Sequence, residues 1–306
     1  MNHRRDFIKR VCAGTALLSV GLAPLKSIAR SEMEKITILH TNDVHSHIEP
    51  FPSNDPKFPG LGGAERRAAL IHRIRNEEEH VLLLDAGDLV QGTPYFNVFK
   101  GEVEYKLMNE MQYDAATLGN HDFDNGLDGL QYMLNFAKFP MICSNYSFDQ
   151  TTISGMTIPY KVFDKGDMRI GVFGLGIELN GLVEEKLFGK TKYENPEVKA
   201  AYYAHHLKTK EKCDLIICLS HLGFKYPDEK ISDVGLAKKS LYIDCIIGGH
   251  THTFLKEPVR VYNRAGKEVL IAQTGWAGIN LGRIDFYLER KNGLKIGLGS
   301  SKKISK

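Results

Sequence analysis

The sequence has no run of apolar residues long enough to span a bilayer, so no membrane-spanning helix is expected. It also lacks an internal repeat with a period of about 20–50 residues, and no shift in composition marks a second domain. The 306 residues, 42% of them hydrophobic and 25% charged, have the composition of an ordinary globular protein. A chain of this length can form a single α/β domain.

The chain also lacks a large excess of basic or acidic residues. The formal net charge is +3, but residues 1–29 hold five of the 40 basic and only one of the 37 acidic residues. The rest of the chain carries 35 basic and 36 acidic residues, a net charge of −1. General nucleic-acid binding usually leaves a basic surface patch, so we expect no nucleic-acid partner.

Residues 1–29 have the features of an export signal. Basic residues precede an apolar run from Val11 to Ala23, and Ser27-Ile28-Ala29 offers a small-x-small cleavage site. The start, RRDFIK, resembles the twin-arginine export motif. A plain secretory leader, whose arginines only supply charge, is the alternative. Either way, we expect residues 30–306 to work outside the cytoplasm, in the periplasm.

Cysteine is scarce, and no CxxC pair is present. Cys12 lies in the leader, which leaves Cys143, Cys213, Cys218 and Cys245. Four cysteines in an exported protein could pair in three ways. Most of these four lie in apolar, strand-like runs, where a free thiol behaves as a small hydrophobic group. We therefore expect reduced, buried thiols.

Apolar runs of strand length alternate with helical patterns, which favours an α/β fold with helices on the outer faces. The predicted strands are Lys35–His40, Val81–Leu84, Ala115–Leu118, Met141–Ser144, Arg169–Leu175, Leu215–Leu219, Ile243–Ile247, Val269–Ala272 and Leu281–Glu289. The predicted helices are Gly62–Glu78, Phe96–Met111, Asn125–Lys138 and a helix from Pro196 to about Lys212, capped by Asn195. Prolines stiffen the loop Glu49–Gly60, and the polar tail after Lys291 is expected to fray.

Five short motifs with metal-ligand residue types follow such strands, which suggests that one edge of a sheet gathers them. The candidate ligands are Asp43, His45, Asp88, Asn120, His221, His250 and His252. Each motif alone has an ordinary explanation, since Gly-Asp is often just a turn and a lone histidine at a strand end is often a satisfied polar group. Five such motifs in one chain are hard to explain as coincidence.

The donor set points to a pair of divalent ions. Nitrogen and oxygen ligands without thiolate suit Zn, Mn or Fe rather than Ca or a cysteine-type structural zinc. Two ions about 3.5–4 Å apart would clamp phosphoryl oxygens and acidify a water for in-line attack. Asp88 has two carboxylate oxygens and is suited to bridge both ions, and Gly87 lets the backbone turn sharply before it.

His121 lies beside the candidate ligand Asn120 and has a different expected role. It could meet the charge that develops on phosphorus or protonate the leaving oxygen. Asp124 would orient its ring, which raises the basicity of the imidazole and fixes its tautomer. His121 and Asp124 are therefore the predicted catalytic pair.

With LHTNDVH at residues 39–45 and GNHDFD at residues 119–124, the chain resembles the calcineurin-like metallophosphoesterase superfamily. Within it, the two motifs are similar to those in the catalytic domain of the secreted 5′-nucleotidase and UDP-sugar hydrolase family. The resemblance runs from about Lys35 to Glu289, so residues 30–306 are expected to be this catalytic domain. It implies a four-layer α/β/β/α sandwich with two mixed central sheets.

The resemblance also implies how the ligands divide. One ion would be held by Asp43, His45, Asp88 and His252, and the other by Asp88, Asn120, His221 and His250. Two-domain members add a C-terminal domain that clamps the nucleobase and supplies arginines for the phosphate. That domain is expected to be absent here, so the nucleoside clamp would be missing, supplied by a separate chain or replaced by loops.

The leading expectation is a dimetal phosphohydrolase acting on a small phosphate ester such as a nucleotide. A second possibility is a thiosulfohydrolase similar to the sulfur-oxidising members of the superfamily, which would need a carrier-protein partner. A third is a non-catalytic binding partner with a metal-stabilised fold. The presence of His121 and Asp124 argues against the third, because fold stability alone does not require that pair.

Overall fold

The computed structural model describes residues 33–289 and 293–305, so the predicted export signal at residues 1–29 lies outside the described residues. Across the described ranges, no helix has the length and apolar character needed to cross a membrane. The strands are β1 (Met33–Thr41), β2 (Val81–Asp85), β3 (Ala115–Ala116), β4 (Tyr146–Ser147), β5 (Tyr160–Lys165), β6 (Met168–Leu175), β7 (Lys192–Tyr193), β8 (Leu215–Ser220), β9 (Cys245–Gly248), β10 (Val259–Tyr262), β11 (Glu268–Ala272), β12 (Asn280–Glu289) and β13 (Leu294–Lys303). The helices are α1 (Ala64–Glu77), α2 (Pro94–Phe99), α3 (Glu102–Glu110), α4 (Gly126–Leu134), α5 (Glu185–Phe188), α6 (Pro196–Thr209) and α7 (Asp233–Lys239).

Two mixed sheets form the centre of the molecule. The first has the strand order β13-β12-β1-β2-β3, and the second has the order β10-β11-β9-β8-β6-β5. In the first sheet, β1, β2 and β3 are parallel to one another, while β12 and β13 are antiparallel to their neighbours. In the second sheet, β6, β8, β9 and β11 are parallel. The strands β4 and β7 form a small separate sheet.

Three apolar cores separate four layers. One core lies between the first sheet and the helices α1 to α5, and it includes Ile71, Tyr105 and Phe123. A second core lies between the two sheets. The third lies between the second sheet and the helices α6 and α7. This is the predicted α/β/β/α sandwich with mixed sheets, which confirms the expected fold class.

Burial on both faces explains the uniform apolar runs of the central strands. All residues of β2 (VLLLD) and of β8 (LIICLS) are buried, and strands covered on both faces lose the usual alternation of polar and apolar residues. The predicted start of α6 is also confirmed, since Asn195 Oδ1 accepts hydrogen bonds from the amides of Glu197 and Val198. The four cysteines of the described chain are free and buried, as expected.

Three local predictions were wrong. The single helix predicted over Phe96–Met111 is two helices, because the chain turns through left-handed conformations at Lys100 (φ 55°) and Gly101 (φ 91°). Residues 141–144 contribute only isolated bridges rather than a strand. The tail after Lys291 does not fray within the described residues, since Leu294–Lys303 pairs along β12.

Candidate metal centre

All seven predicted ligands follow the carboxyl ends of parallel strands. The segments after β1, β2 and β3 carry Asp43, His45, Asp88 and Asn120, and those after β8 and β9 carry His221, His250 and His252. The ligands are therefore shared between the two sheets, whereas the strand ends alone suggested one sheet. The two sheets pack face to face, and the side chains that follow their strand ends converge in one cleft.

Asp43, His45 and His252 form the first triad, in which the ligand atoms all lie within 4.8 Å of one another. His252 Nε2 lies 3.0 Å from His45 Nε2 and 3.5 Å from Asp43 Oδ1. A metal bound at about 2.0–2.1 Å to each nitrogen would place neighbouring ligand atoms roughly 3.0–3.4 Å apart. The spacing of the first triad fits a divalent cation between its members.

Asp88, His221 and His250 form the second triad, which meets the same distance limit. Asp88 Oδ2 lies 3.0 Å from His221 Nε2 and 3.8 Å from His45 Nε2, so one oxygen reaches both triads. Asn120 joins the second triad, with its Oδ1 2.8 Å from His250 Nδ1. This geometry matches what a bridging carboxylate requires.

Backbone strain is concentrated at these residues. The φ angles of Asp43, His45, Asp88, His250 and His252 lie between 49° and 71°, a left-handed region that costs a non-glycine residue on the order of 1–3 kcal/mol. Ordinary turns would place glycine or asparagine at such positions. Five strained ligands in one cleft argue that their side chains, rather than their turns, set the residue type.

Hydrogen bonds from surrounding groups orient the ligands. The Nδ1 of His221 lies 2.7 Å from the carbonyl of Ala86, so an Nδ1–H that donates there leaves Nε2 with its lone pair toward the cleft. Asn42 Nδ2 donates to Asp43 Oδ2 at 2.6 Å. The backbone amide of His250 also donates to Asp43, at 2.9 Å. Each of these bonds fixes a ligand atom before any cation binds.

The loop before Asp88 is packed tightly under the centre. Gly87 has φ 89°, and a Cβ there would lie 2.6 Å from the amide nitrogen of Gly119. Asp122 supports the same contact, because its Oδ2 accepts from the amides of Gly119 (2.7 Å) and Asp88 (3.2 Å). The sharp turn predicted at Gly87 is present, and only glycine fits it.

The electrostatics of the cleft favour neutral rings at His45 and His250 and a positive charge beside Asp43 and Asp88. Burial lowers the pKa of His45 to about 4 and that of His250 to about 3, and neutral imidazole is the form that binds metals. Burial also opposes charge on His221, but the carboxylates of Asp88 and Asp43 outweigh it and raise its pKa to about 10. A proton on His221 or a divalent cation can satisfy the two carboxylates.

The predicted catalytic pair lies at the rim of the cleft. His121 Nδ1 is 2.9 Å from Asp124 Oδ2, and the backbone amide of His121 donates to Asp88 Oδ1 at 2.8 Å. The hydrogen bond with Asp124 raises the pKa of His121, although burial opposes the shift. The rings of His121 and His45 are 5.3 Å apart between centroids, so His121 lies next to the first triad.

Sequence reasoning missed three supporting residues. Asn42 lies inside the first motif, and its Oδ1 accepts from the backbone amide (2.8 Å) and the hydroxyl (2.7 Å) of Thr274. Asp122 lies inside the GNHDFD motif. Trp276 stacks on His252, and its only signal in the sequence is that the chain has a single tryptophan.

The chain is similar in sequence to known phosphoesterases. The profile described as calcineurin-like phosphoesterase matches residues 36–254. The 5′-nucleotidase from the venom of Crotalus adamanteus is 35% identical over 285 residues, which cover 87% of this chain and 47% of the relative. The chain thus spans about half the length of the curated relatives it matches.

Solved structures show the same likeness. The crystal structure of a 5′-nucleotidase precursor from Thermus thermophilus superposes with a TM-score of 0.81 at 29% identity, covering 89% of this chain and 55% of that one. A sulfate thiohydrolase from Thermus thermophilus superposes with a TM-score of 0.71 at 18% identity, covering 93% and 58%. At that identity, the second likeness concerns the fold alone.

Proposed function

Since the chain belongs to the calcineurin-like phosphoesterase family, we propose that it is a phosphohydrolase that uses two divalent cations to release phosphate from nucleotides or related esters. The observation that carries the proposal is the pair of ligand triads, with one oxygen of Asp88 in reach of both. The similarity to 5′-nucleotidases supports a nucleotide as the substrate.

Each ligand has an assigned place in this proposal. One cation is assigned to Asp43, His45, Asp88 and His252, and the other to Asp88, Asn120, His221 and His250. The donor set of nitrogen and oxygen atoms fits Zn, Mn or Fe. When bound, such cations neutralise charge on phosphoryl oxygens and lower the pKa of a water molecule.

His121 is assigned the proton transfer. A hydrogen bond from Nδ1 to Asp124 fixes the ring and its tautomer. The raised pKa increases the fraction of His121 that carries a proton near neutral pH. That proton is available to the leaving oxygen, and the imidazolium charge can stabilise the phosphoryl group before transfer.

The other two candidate functions have less support. The likeness to the thiohydrolase is limited to the fold, and no observation on the described residues favours sulfur chemistry. A binding module would not need the hydrogen-bonded pair of His121 and Asp124 beside the triads. A phosphate-ester hydrolase accounts for both the triads and the pair.

The test combines metal analysis with a hydrolysis screen of the pure protein. The substrates are mononucleotides, UDP-sugars, cyclic nucleotides and aryl phosphates, each assayed with Zn²⁺, Mn²⁺ or Fe²⁺. We expect metal-dependent phosphate release, fastest from one of the nucleotide classes. Bound metal without hydrolysis of any phosphate ester would favour the binding module instead.

We also propose that residues 1–29 direct export and that residues 30–306 form the mature catalytic domain. The proposal rests on the paired arginines and the apolar run of the leader. Replacing Arg4 and Arg5 by lysine should retain the unprocessed protein inside the cell if the twin-arginine route is used. Normal export of that variant would indicate a plain secretory leader.

A further inference from the structure

Trp276, the only tryptophan of the chain, lies parallel to a predicted metal ligand in an offset stack. Its ring and that of His252 are 5.7 Å apart between centroids, and their planes differ by 4°. The side chain of His252 is 41% exposed, so little surrounding protein fixes the orientation of its ring. The ring of His45 also meets His252 edge to face, with centroids 5.0 Å apart, so Trp276 and His45 together constrain the orientation of the His252 ring.

Two of the other histidines in the triads are anchored by backbone carbonyls through Nδ1. The Nδ1 of His221 lies 2.7 Å from the carbonyl of Ala86, and that of His45 lies 3.3 Å from the carbonyl of Val90. The Nδ1 of His250 faces Asn120 Oδ1. Among the described residues, none forms a hydrogen bond with the Nδ1 of His252. Ring stacking therefore constrains His252, whereas hydrogen bonds to Nδ1 constrain His221 and His45.

The position of Trp276 is itself tied to the first metal motif. The carbonyl of Gly275 accepts a hydrogen bond from Asn42 Nδ2 at 2.7 Å. The backbone amide of Ala277 donates to the carbonyl of Asp43 at 2.7 Å. Both neighbours of Trp276 are therefore fixed to the segment that carries Asp43, so its ring is held in register with the first triad.

Aromatic neighbours hold the indole from its other sides. The rings of His47, Phe51 and Phe58 meet Trp276 in edge-to-face contacts, with centroids 5.1, 6.0 and 6.3 Å away. Such contacts restrict the indole more than apolar burial alone. Phe51 and Phe58 come from the proline-rich loop Glu49–Gly60, which gives this loop a structural role next to the centre.

We infer that Trp276 is a positioning residue that fixes the His252 ring for cation binding at the first triad, and does so by stacking. The inference rests on the proposed metal centre. It concerns the metal affinity of one site, which can be measured without any enzyme activity. Losing an orienting partner of a metal ligand typically lowers metal affinity about 10–100-fold. The effect should be confined to the first triad, because the ring contacts of Trp276 among the described residues include His252 and no histidine of the second triad.

The test measures Co²⁺ binding to the metal-free protein. Equilibrium dialysis and the absorption of bound Co²⁺ give the two affinities. Trp276→Leu keeps apolar bulk but removes the flat ring, and Trp276→Phe keeps a smaller ring. We expect Trp276→Leu to weaken one of two binding events by about tenfold and Trp276→Phe to restore most of it. Phe99→Leu is the matched control, since Phe99 is partly exposed and stacks on Tyr95 rather than on a ring around Trp276, and its two affinities should be unchanged.

The fluorescence of the unaltered protein gives a second readout. Co²⁺ at either triad should quench the emission of Trp276, since the two proposed sites lie about 3.5–4 Å apart, so the quenching titration should show two binding events, of which His252→Ala weakens one and leaves the other. Two unchanged affinities in Trp276→Leu would overturn the inference. Equal weakening of both sites would also overturn it, because it would indicate a general structural role. No Co²⁺ binding by the unaltered protein would contradict the proposed metal centre itself, and the inference with it.

Discussion

The two triads lie in one cleft, but the protein holds their histidines in different ways. In the second triad, His221 is fully buried and its Nδ1 is anchored by a backbone carbonyl. In the first triad, His252 is 41% exposed and is held by a side chain. Each triad also has two buried members, Asp43 and His45 in the first and Asp88 and His221 in the second, so the contrast lies between His221 and His252. His45 of the first triad is buried and faces a backbone carbonyl as His221 does, so we expect a weaker affinity of the first triad only to the extent that the exposed His252 is less firmly held.

Removing the proposed bridging carboxylate, Asp88, should have the largest effect, because both cation sites are expected to depend on it. In Asp88→Asn, both cations lose the shared oxygen, and metal content should fall at both sites. Turnover should drop by about 10⁴-fold or more, since bound cations contribute several kcal/mol to phosphoryl transfer. Metal analysis and phosphate-release assays measure both quantities. The exposed Asp228→Asn serves as the control, and unchanged metal content in Asp88→Asn would contradict the bridging role.

Removing the proton donor should separate chemistry from metal binding. His121→Ala should lower turnover by roughly 10²–10⁴-fold, the usual contribution of an acid–base group, while both triads keep their cations. Asp124→Asn should have a smaller effect of the same kind, because it leaves the ring in place but removes its partner. Measuring metal content and turnover on the same samples shows whether His121 acts in the reaction or in metal binding. Loss of metal from His121→Ala would make this residue a ligand.

The strand-end motifs were predictable because they combine two strong signals. Buried parallel strands give uninterrupted apolar runs, and a polar residue just after such a run marks the carboxyl edge of the sheet. Asp43, Asp88 and His221 all follow this rule. Spacing along the chain could not show that the ligands divide between two sheets, since that depends on how the sheets pack.

Strand β13 was missed for a physical reason. A Cβ at Gly297 would lie 2.3 Å from Leu270 Cδ1, and one at Gly299 would lie 2.7 Å from Pro258. Glycine therefore stands at the inward positions where a strand usually shows apolar side chains, and the alternation that predicts strands is lost. Trp276 was missed similarly, because its contact with His252 joins loops that no local pattern connects.

Histidine substitutions measured without metal should sharpen the contrast between the triads. His221→Ala removes a fully buried ring and leaves Asp88 as a buried carboxylate without its partner, which should cost about 3 kcal/mol of unfolding free energy. His252→Ala removes a partly exposed ring and should cost less than about 1 kcal/mol. Urea unfolding in the presence of a chelator measures both. Equal losses would show that the two triads do not differ in how the fold supports them.

A substitution at Glu78, at the opposite end of the strands of the first sheet, should give the smallest effect. Glu78 forms ion pairs far from the metal ligands, so it serves as a reference for charges that affect stability alone. Burial would raise the pKa of Glu78, but hydrogen bonds from Lys35 and Arg283 outweigh it and lower that pKa below its usual 4.5. A lowered carboxyl pKa contributes stability that is present above pH 4.5 and is lost as pH falls through the folded-state pKa.

Glu78→Gln should therefore cost about 0.5–1 kcal/mol near neutral pH, the usual scale for a partly exposed ion pair. The difference from the unaltered protein should shrink as the pH falls below 4.5, because the carboxyl group then becomes protonated in both states. Urea unfolding at neutral and acidic pH tests both statements. Metal content should not change, because Glu78 lies at the amino end of β2 while the ligand Asp88 follows its carboxyl end. A loss of metal in Glu78→Gln would mean that the two edges of the sheet are coupled and that the triads depend on more than their own cleft.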